Sequence, residues 1–295
     1  MRLALGPLLY YWDRESIFDF YKSIQDTAVD IVYLGEVVCG KRRTMRLPDW
    51  LQIGEELAAA GKEVVLSTLA LIEAESELAT LRKICANGRF PVEANDMAAV
   101  YALAKLKQPF IGGPHLNIYN PEALAMLACS GARRWTIPVE MSASTLAAIQ
   151  AQRPAQIETE VFALGRLPLA FSARCFTARA HGHGKDDCGF VCAQYPEGLP
   201  LYTQEKEPFL ILNGIQTQSA SLYSLVEHLE ELEQLEVDVV RVSPFPGQMA
   251  EIIELLHAAV MDTAKAEKTA AAIQEHLTLP VNDGYWRGRP GIGGT

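Results

Sequence analysis

The chain has 295 residues, 49% of them apolar and 21% charged, which excludes a disordered chain and leaves room for one large α/β core. Its 26 basic and 36 acidic residues give a net charge of −10, which argues against the broad basic face of a general nucleic-acid binder. No stretch reaches the roughly 18 uninterrupted apolar residues of a membrane span, and in a core of this size the six cysteines read as reduced thiols of a cytoplasmic protein rather than a disulfide framework.

The apolar start, Met1 to Trp12, runs into Asp13, Arg14 and Glu15 without a small-residue cleavage site. It therefore reads as a first strand, Arg2 to Leu9, and not as a signal peptide. A helical pattern follows from Glu15 to Thr27. Asp30 to Leu34 is a second strand, with a helix from near Leu47. Val64 to Leu69 is a third, with a helix from Ala74 to Ala86. Pro91 to Ala94 is a fourth, followed by a helix from Met97 to Leu106. Phe110 to Gly113 is a fifth, followed by a helix from Pro121 to Ser130. Trp135 to Val139 is a sixth, followed by a helix from Ala143 to Gln152, and Ile157 to Ala163 is a seventh.

The pattern then breaks. Residues 172–204 are rich in Cys, Gly, His and charge and show no period. An apolar run from Phe209 to Leu212, a helix from Ser219 to Glu233, a last strand from Val237 to Val242 and a long helix from Gly247 to His276 complete the series. Val281 to Thr295 reads as loop. Strands alternating with helices predict a parallel sheet, and about eight such units predict a (β/α)8 TIM-barrel-like single domain over 1–295, with a cysteine-rich insertion after the seventh strand. A doubly wound sheet is the rival, but no Gly-rich dinucleotide fingerprint follows the first strand.

Cys175, Cys188 and Cys192 are spaced C-x12-C-x3-C, and Cys39 lies just past the second strand. Barrel strands all end at one rim, so a loop after the seventh strand would lie over the same face as Cys39. Four converging thiols are a ligand set for an iron–sulfur cluster or for structural zinc; four unrelated thiols is the third reading. Lys41, Arg42, Arg43, Arg174 and Arg179 flank these cysteines, either to offset an anionic centre or as a solvated basic loop. Cys85 and Cys129, in helical stretches, read as buried core thiols. His181 and His183 read as loop residues ahead of metal ligands.

The segments YLGEVVCGKRR (Tyr33–Arg43), VLSTLALI (Val65–Ile72), LPLAFSARCFTARA (Leu167–Ala180), the Cys188–Cys192 pair, ILNGIQT (Ile211–Thr217) and DGYWRG (Asp283–Gly288) resemble the UbiV-type proteins of the collagenase-like peptidase superfamily. The resemblance implies a 4Fe–4S cluster on Cys39, Cys175, Cys188 and Cys192. It also implies a heterodimer with a UbiU-like protein, an association with a UbiT-like lipid-binding accessory protein, and a part in dioxygen-independent hydroxylation of a quinone precursor during ubiquinone biosynthesis. Superfamily relatives that hydroxylate RNA bases, and the peptidases, give two alternatives. The acidic balance weighs against the first; no GxSxG elbow, HExxH helix or papain-like cysteine context supports the second.

Polar residues near strand ends are further candidates. Glu36, Glu93, Asn117 and Arg241 belong to this set. His115 suits either proton transfer or a structural hydrogen bond, and Glu140 either catalysis or a salt bridge. Asn117 and Asn213 suit backbone caps, and Tyr285 and Trp286 suit a tail packed onto the barrel or the closure of an apolar pocket. No catalytic residue is assigned.

Overall fold

Short runs such as IVYL and EVVLS are almost wholly buried on both faces, the pattern of parallel strands wrapped by helices. In the computed structural model, which describes residues 1–245, 247–277 and 279–291, seven such strands follow one another. They are β1 (Arg2–Leu5), β2 (Ile31–Leu34), β3 (Glu63–Ser67), β4 (Val92–Ala94), β5 (Phe110–Gly112), β6 (Ala132–Thr136) and β7 (Glu158–Gly165). Between them run α1 (Arg14–Ile24), α2 (Leu47–Ala59), α3 (Glu75–Cys85), α4 (Met97–Leu106), α5 (Pro121–Cys129) and α6 (Ala143–Gln150). Several helices start where a short polar side chain accepts an orphan N–H: Asp13 from Ser16, Asp96 from Ala98, Asn120 from Ala123 and Ser142 from Thr145. Each such cap is worth roughly 1 kcal/mol.

After β7 the chain leaves the barrel. β8 (Pro168–Phe171), α7 (Phe176–Ala180), β9 (Leu199–Tyr202), β10 (Pro208–Asn213) and β11 (Gln216–Ser219) form an excursion whose strands make an antiparallel sheet in the order β8-β11-β10-β9. β12 (Leu222–Ser224) returns along β7, and α8 (Leu229–Gln234) leads to β13 (Val239–Val242). β13 pairs in parallel with both β1 and β7, which closes an eight-stranded parallel barrel. α9 (Met249–Met261), α10 (Ala266–His276) and the two-residue β14 (Val281–Asn282), parallel to β12, follow. Among the described residues no helix is long and apolar enough to cross a membrane.

The barrel agrees with the sequence reading; its last quarter differs in detail. The helix expected over Ser219–Glu233 is helical only from the 3-10 turn Val226–His228 onward, because Gln216–Ser219 and Leu222–Ser224 find strand partners first. The helix expected over Gly247–His276 breaks at Asp262, whose backbone is extended at φ −148° and ψ 90°. Of the loop expected over Val281–Thr295, two residues make β14, and positions 292–295 lie outside the described residues.

The barrel lumen is charged. Arg241 Nε donates to Glu160 at 2.5 Å, and its Nη2 donates to Glu93 at 2.8 Å and to Thr136 at 3.2 Å. The Arg241 guanidinium also stacks 4.0 Å from the Tyr33 ring centroid. Tyr33 donates to Glu160, and Arg134 donates to Tyr33, Glu158 and Glu63. Period-two alternation aims residues 134 and 136, and 158 and 160, inward together. Arg241, Ser67 and Asn95 outweigh the burial of Glu93 and hold its carboxyl below the usual range. Glu93 and Arg241, candidates by position, are thus partners of each other inside the barrel.

Candidate functional site

The four predicted cysteines line one cavity. Cys39, Cys175, Cys188 and Cys192 share it with Lys41, Arg42, Lys185, Phe190, Val191 and Gly214. Cys39 sits on the loop after β2, and the other three come from the excursion that β7 feeds. The shared rim of the barrel strands is what lets a thiol at position 39 meet thiols 136 to 153 residues later.

Each cysteine is held by its own local structure. Gly35, at φ +135°, passes so close to β3 that a Cβ there would stand 2.5 Å from the Ser67 carbonyl oxygen. This turn delivers Glu36, whose Oε1 accepts the N–H groups of Val38 at 2.9 Å and Cys39 at 3.0 Å. Cys175 caps α7, its Sγ accepting the Ala178 N–H at 3.4 Å. Thr177 Oγ1 accepts the Gly214 N–H at 3.0 Å, tying α7 to the β10–β11 turn. Cys188 precedes and Cys192 lies within a 3-10 turn, Val191–Gln194, whose Val191 N–H donates to the Cys188 carbonyl at 3.2 Å.

Arg42 organises the wall. Its Nη1 donates to the Leu9 carbonyl at 2.8 Å and its Nη2 to Asn213 Oδ1 at 2.7 Å, while Asn213 Nδ2 returns to Leu9 at 2.8 Å. Asn213 therefore satisfies backbone, as expected. Gly214, at φ +68°, leaves space for this guanidinium, since a Cβ would come within 3.1 Å of Nη2. The Arg42 Nε is buried and has no hydrogen-bond partner among the described residues. Lys41 donates to the Lys185 carbonyl at 2.8 Å and to Asp186 at 2.6 Å, and Lys185 pairs with Glu73.

Burial is the leading influence on three of the thiols and raises the pKa of each. For Cys39 the neighbouring Glu36 adds to it. For Cys175 the Ala178 N–H opposes it, while Cys39 and Cys188 add to it. For Cys192 the Arg42 charge opposes it, and Cys175 and Cys188 add to it. These mutual effects mean that the thiols feel one another's charge, yet among the described residues no three Cys, His, Asp or Glu side chains gather tightly enough to share one metal ion. Thiolates on a tetrahedral zinc at 2.3 Å would stand about 3.8 Å apart.

Of the five flanking cations, Lys41 and Arg42 line the cavity, whereas Arg43, Arg174 and Arg179 are exposed. Lys185, which sequence reasoning passed over, also lines it; its place just before Cys188 was the available signal. Cys85 is buried, as expected, but Cys129 is exposed. It is the last residue of α5, a helix apolar on more than its inward face, and it projects from that helix's outer side. His181 is exposed and its ring pairs with the Tyr195 hydroxyl at 2.9 Å. Trp286 is buried, donating to Glu231 at 2.8 Å, so the tail packs onto the barrel's helices. His115, Asn117 and Glu140 line a separate pocket at the barrel mouth.

The model of Peptidase family U32 matches residues 18–242. Among solved structures, the chain is similar to a U32 peptidase at 12% identity, over 83% of this chain and 93% of that one, with a TM-score of 0.46. It is similar to the spore coat polysaccharide biosynthesis protein SpsE of Bacillus subtilis at 12% identity, over 100% and 74% of the two chains, with a TM-score of 0.44. A tryptophan synthase from M. tuberculosis matches at 12% identity over 95% and 94%, with a TM-score of 0.43. Likenesses at this level add nothing to what the strand order already shows.

Proposed function

The chain belongs to peptidase family U32, and from that membership we propose that it is a UbiV-type subunit whose Cys39, Cys175, Cys188 and Cys192 hold a 4Fe–4S cluster. It acts with a UbiU-like partner, and in association with a UbiT-like accessory protein, in the dioxygen-independent hydroxylation of a quinone precursor. The observation that carries this reading is the meeting of four thiols, one from early in the chain, in a single cavity lined by cations.

The residues suit the group. Four soft sulfur donors are the usual ligand set of such clusters. Among the described residues no three of them gather tightly enough to share one metal ion, which weighs against structural zinc. Arg42 lines the cavity and lowers the pKa of Cys192 against its burial, and hydrogen bonds and charges around a cluster are a recurrent way of tuning such centres. Arg42, Lys41 and Lys185 offset the negative charge that four thiolates would bring.

The cluster, when bound, supplies one-electron chemistry; with four protein thiolates its irons are saturated, which suits electron transfer or a structural role rather than substrate ligation. The chain's own contribution is to fix Cys39 through Glu36 and Cys175 through α7, and to hold Arg42 against Leu9 and Asn213. Loading requires the thiols to lose their protons, which burial opposes and Arg42 assists at Cys192.

The test is an anaerobically grown deletion strain. Hydroxylated quinone intermediates are expected to disappear and their unhydroxylated precursor to accumulate. Unchanged quinones would remove the reading. Peptide hydrolysis, the reading that the family description carries, would instead show as cleavage of unstructured peptides by the purified chain.

A further inference from the structure

The two stretches that bear the thiols are basic in an acidic chain. Residues 39–43 and 172–192 hold six basic and two acidic residues, a net of +4, whereas the other 20 basic and 34 acidic residues leave the remainder at −14. Three of the six, Lys41, Arg42 and Lys185, line the cavity, and each is tied to a carboxylate or to backbone. The other three are spare. Arg43 follows Arg42, Arg174 precedes Cys175, and Arg179 lies one turn along α7, its N–H donating to the Cys175 carbonyl at 3.1 Å. All three are exposed, and among the described residues none makes a salt bridge or a side-chain hydrogen bond. Of the two acids, Asp186 is already taken by Lys41.

Aromatic rings accompany these cations. Phe190, between Cys188 and Cys192, is 45% exposed, and Phe176, directly after Cys175, is 37% exposed. Phe190 sits at φ +54°, a backbone region that a bulky L residue rarely adopts. Its ring meets Tyr11 at 6.1 Å between centroids, yet nearly half of it stays in solvent, so burial alone does not account for a phenyl ring there. Arginine and aromatic side chains are the residues that protein interfaces enrich. The four thiols are themselves only partly buried, so whatever they hold lies close beneath this face.

We propose that this face docks a small acidic electron-carrier protein, whose carboxylates meet Arg43, Arg174 and Arg179 around an apolar contact with Phe176 and Phe190. One electron passes from the carrier's reduced flavin or iron–sulfur centre, which is oxidised, to the centre held by the four thiols, which is reduced; no bond is made or broken. Complexes of electron carriers are small and transient, so three cations and two rings are a fitting footprint. Opposite charge steers such an encounter more than it locks it. Nucleic acid and anionic lipid would feel the same cations, but both present long arrays of charge that the acidic remainder of the chain would repel. Electron delivery rests on the cluster reading above; the acidic partner rests on the surface.

The test uses the full chain purified anaerobically, with a small acidic flavodoxin as probe and a basic cytochrome c as its charge-reversed control. Calorimetric titration at low ionic strength is expected to show saturable binding of flavodoxin and none of cytochrome c, and about tenfold more salt should weaken the complex several-fold. Arg43→Glu, Arg174→Glu and Arg179→Glu should each weaken it by about threefold, and the triple variant by about tenfold or more. Phe176→Ala should weaken it with the salt dependence unchanged. Glutamine at the three arginine positions is the milder triple variant should glutamate disturb folding, and should still cost about threefold. Oxidation of flavodoxin hydroquinone by the chain, followed by stopped flow, should slow in the same order, while iron and sulfide stay at wild-type levels in every variant. No binding of flavodoxin, or binding indifferent to salt and to all three arginines, would overturn the surface. So would tRNA or phosphatidylglycerol vesicles binding more tightly than flavodoxin through the same residues. Arginine-dependent binding by a chain that holds no iron would overturn the cluster reading and leave the surface standing.

Discussion

Two polar assemblies of the molecule are built on opposite plans. In the lumen, Arg241, Glu160, Glu93, Tyr33 and Arg134 answer one another at 2.5–3.0 Å, and each charge has a counter-charge. In the thiol cavity, four cysteines converge without satisfying one another, among cations that are anchored to backbone and carboxylates elsewhere. A buried network that closes on itself is a structural element. Convergent donors that do not close on themselves form a site for something else.

The contrast breaks first, if it breaks, in the lumen. Arg241→Met strips Glu93 and Glu160 of the arginine they share, and removing one partner of a buried pair costs about 3–5 kcal/mol. Urea denaturation of the cluster-free protein should show that loss. A loss below about 1 kcal/mol would mean that the lumen tolerates open charge and that closure is no mark of structure. Arg42→Lys is the next largest effect. An ammonium cannot span Leu9 and Asn213 as the guanidinium fork does, so about 2 kcal/mol should be lost. Unlike the lumen variant, this one should also release iron faster under a chelator. Unaltered iron retention would place Arg42 with the lumen as mere scaffold.

The smallest effect is a pH dependence at the barrel mouth. The His115 pKa is about 4 in the fold against roughly 6.5 unfolded, so between these values the unfolded chain binds more protons. Stability from this residue is therefore complete above about pH 6.5 and falls as pH drops toward 4, by on the order of 1 kcal/mol once partial exposure is allowed for. His115→Phe should flatten that acid limb in thermal melts taken from pH 7 to 4. A limb that keeps its slope would show that the imidazole is not held neutral.

The barrel was legible because its signals are local: period-two runs, helical faces and caps at Asp13, Asp96 and Asn120. Residues 208–219 were less so, although Asn213-Gly214 between two apolar runs is a hairpin signal that the cysteine spacing overshadowed. Glu93 and Arg241 read as site candidates because a lone charge on a short strand looks alike whether its partner is a ligand or another strand. Only closure of the barrel brings them together, from 148 residues apart. The anchoring of Arg42 by Leu9 and Asn213, and the arrival of Lys185 at the cavity, are likewise products of tertiary packing. The thiols themselves were legible because cysteines are few and their flanks distinctive.

The central claim concerns what the four thiols grip, and the most direct measurement is iron and acid-labile sulfide per chain after anaerobic purification. Wild type should be brown, with about four of each, and Cys39→Ala, Cys175→Ala, Cys188→Ala and Cys192→Ala should each lose most of both while keeping a cooperative melt. A colourless wild type with one zinc per chain, or a Cys39→Ala variant with a full complement of iron and sulfide, would contradict it.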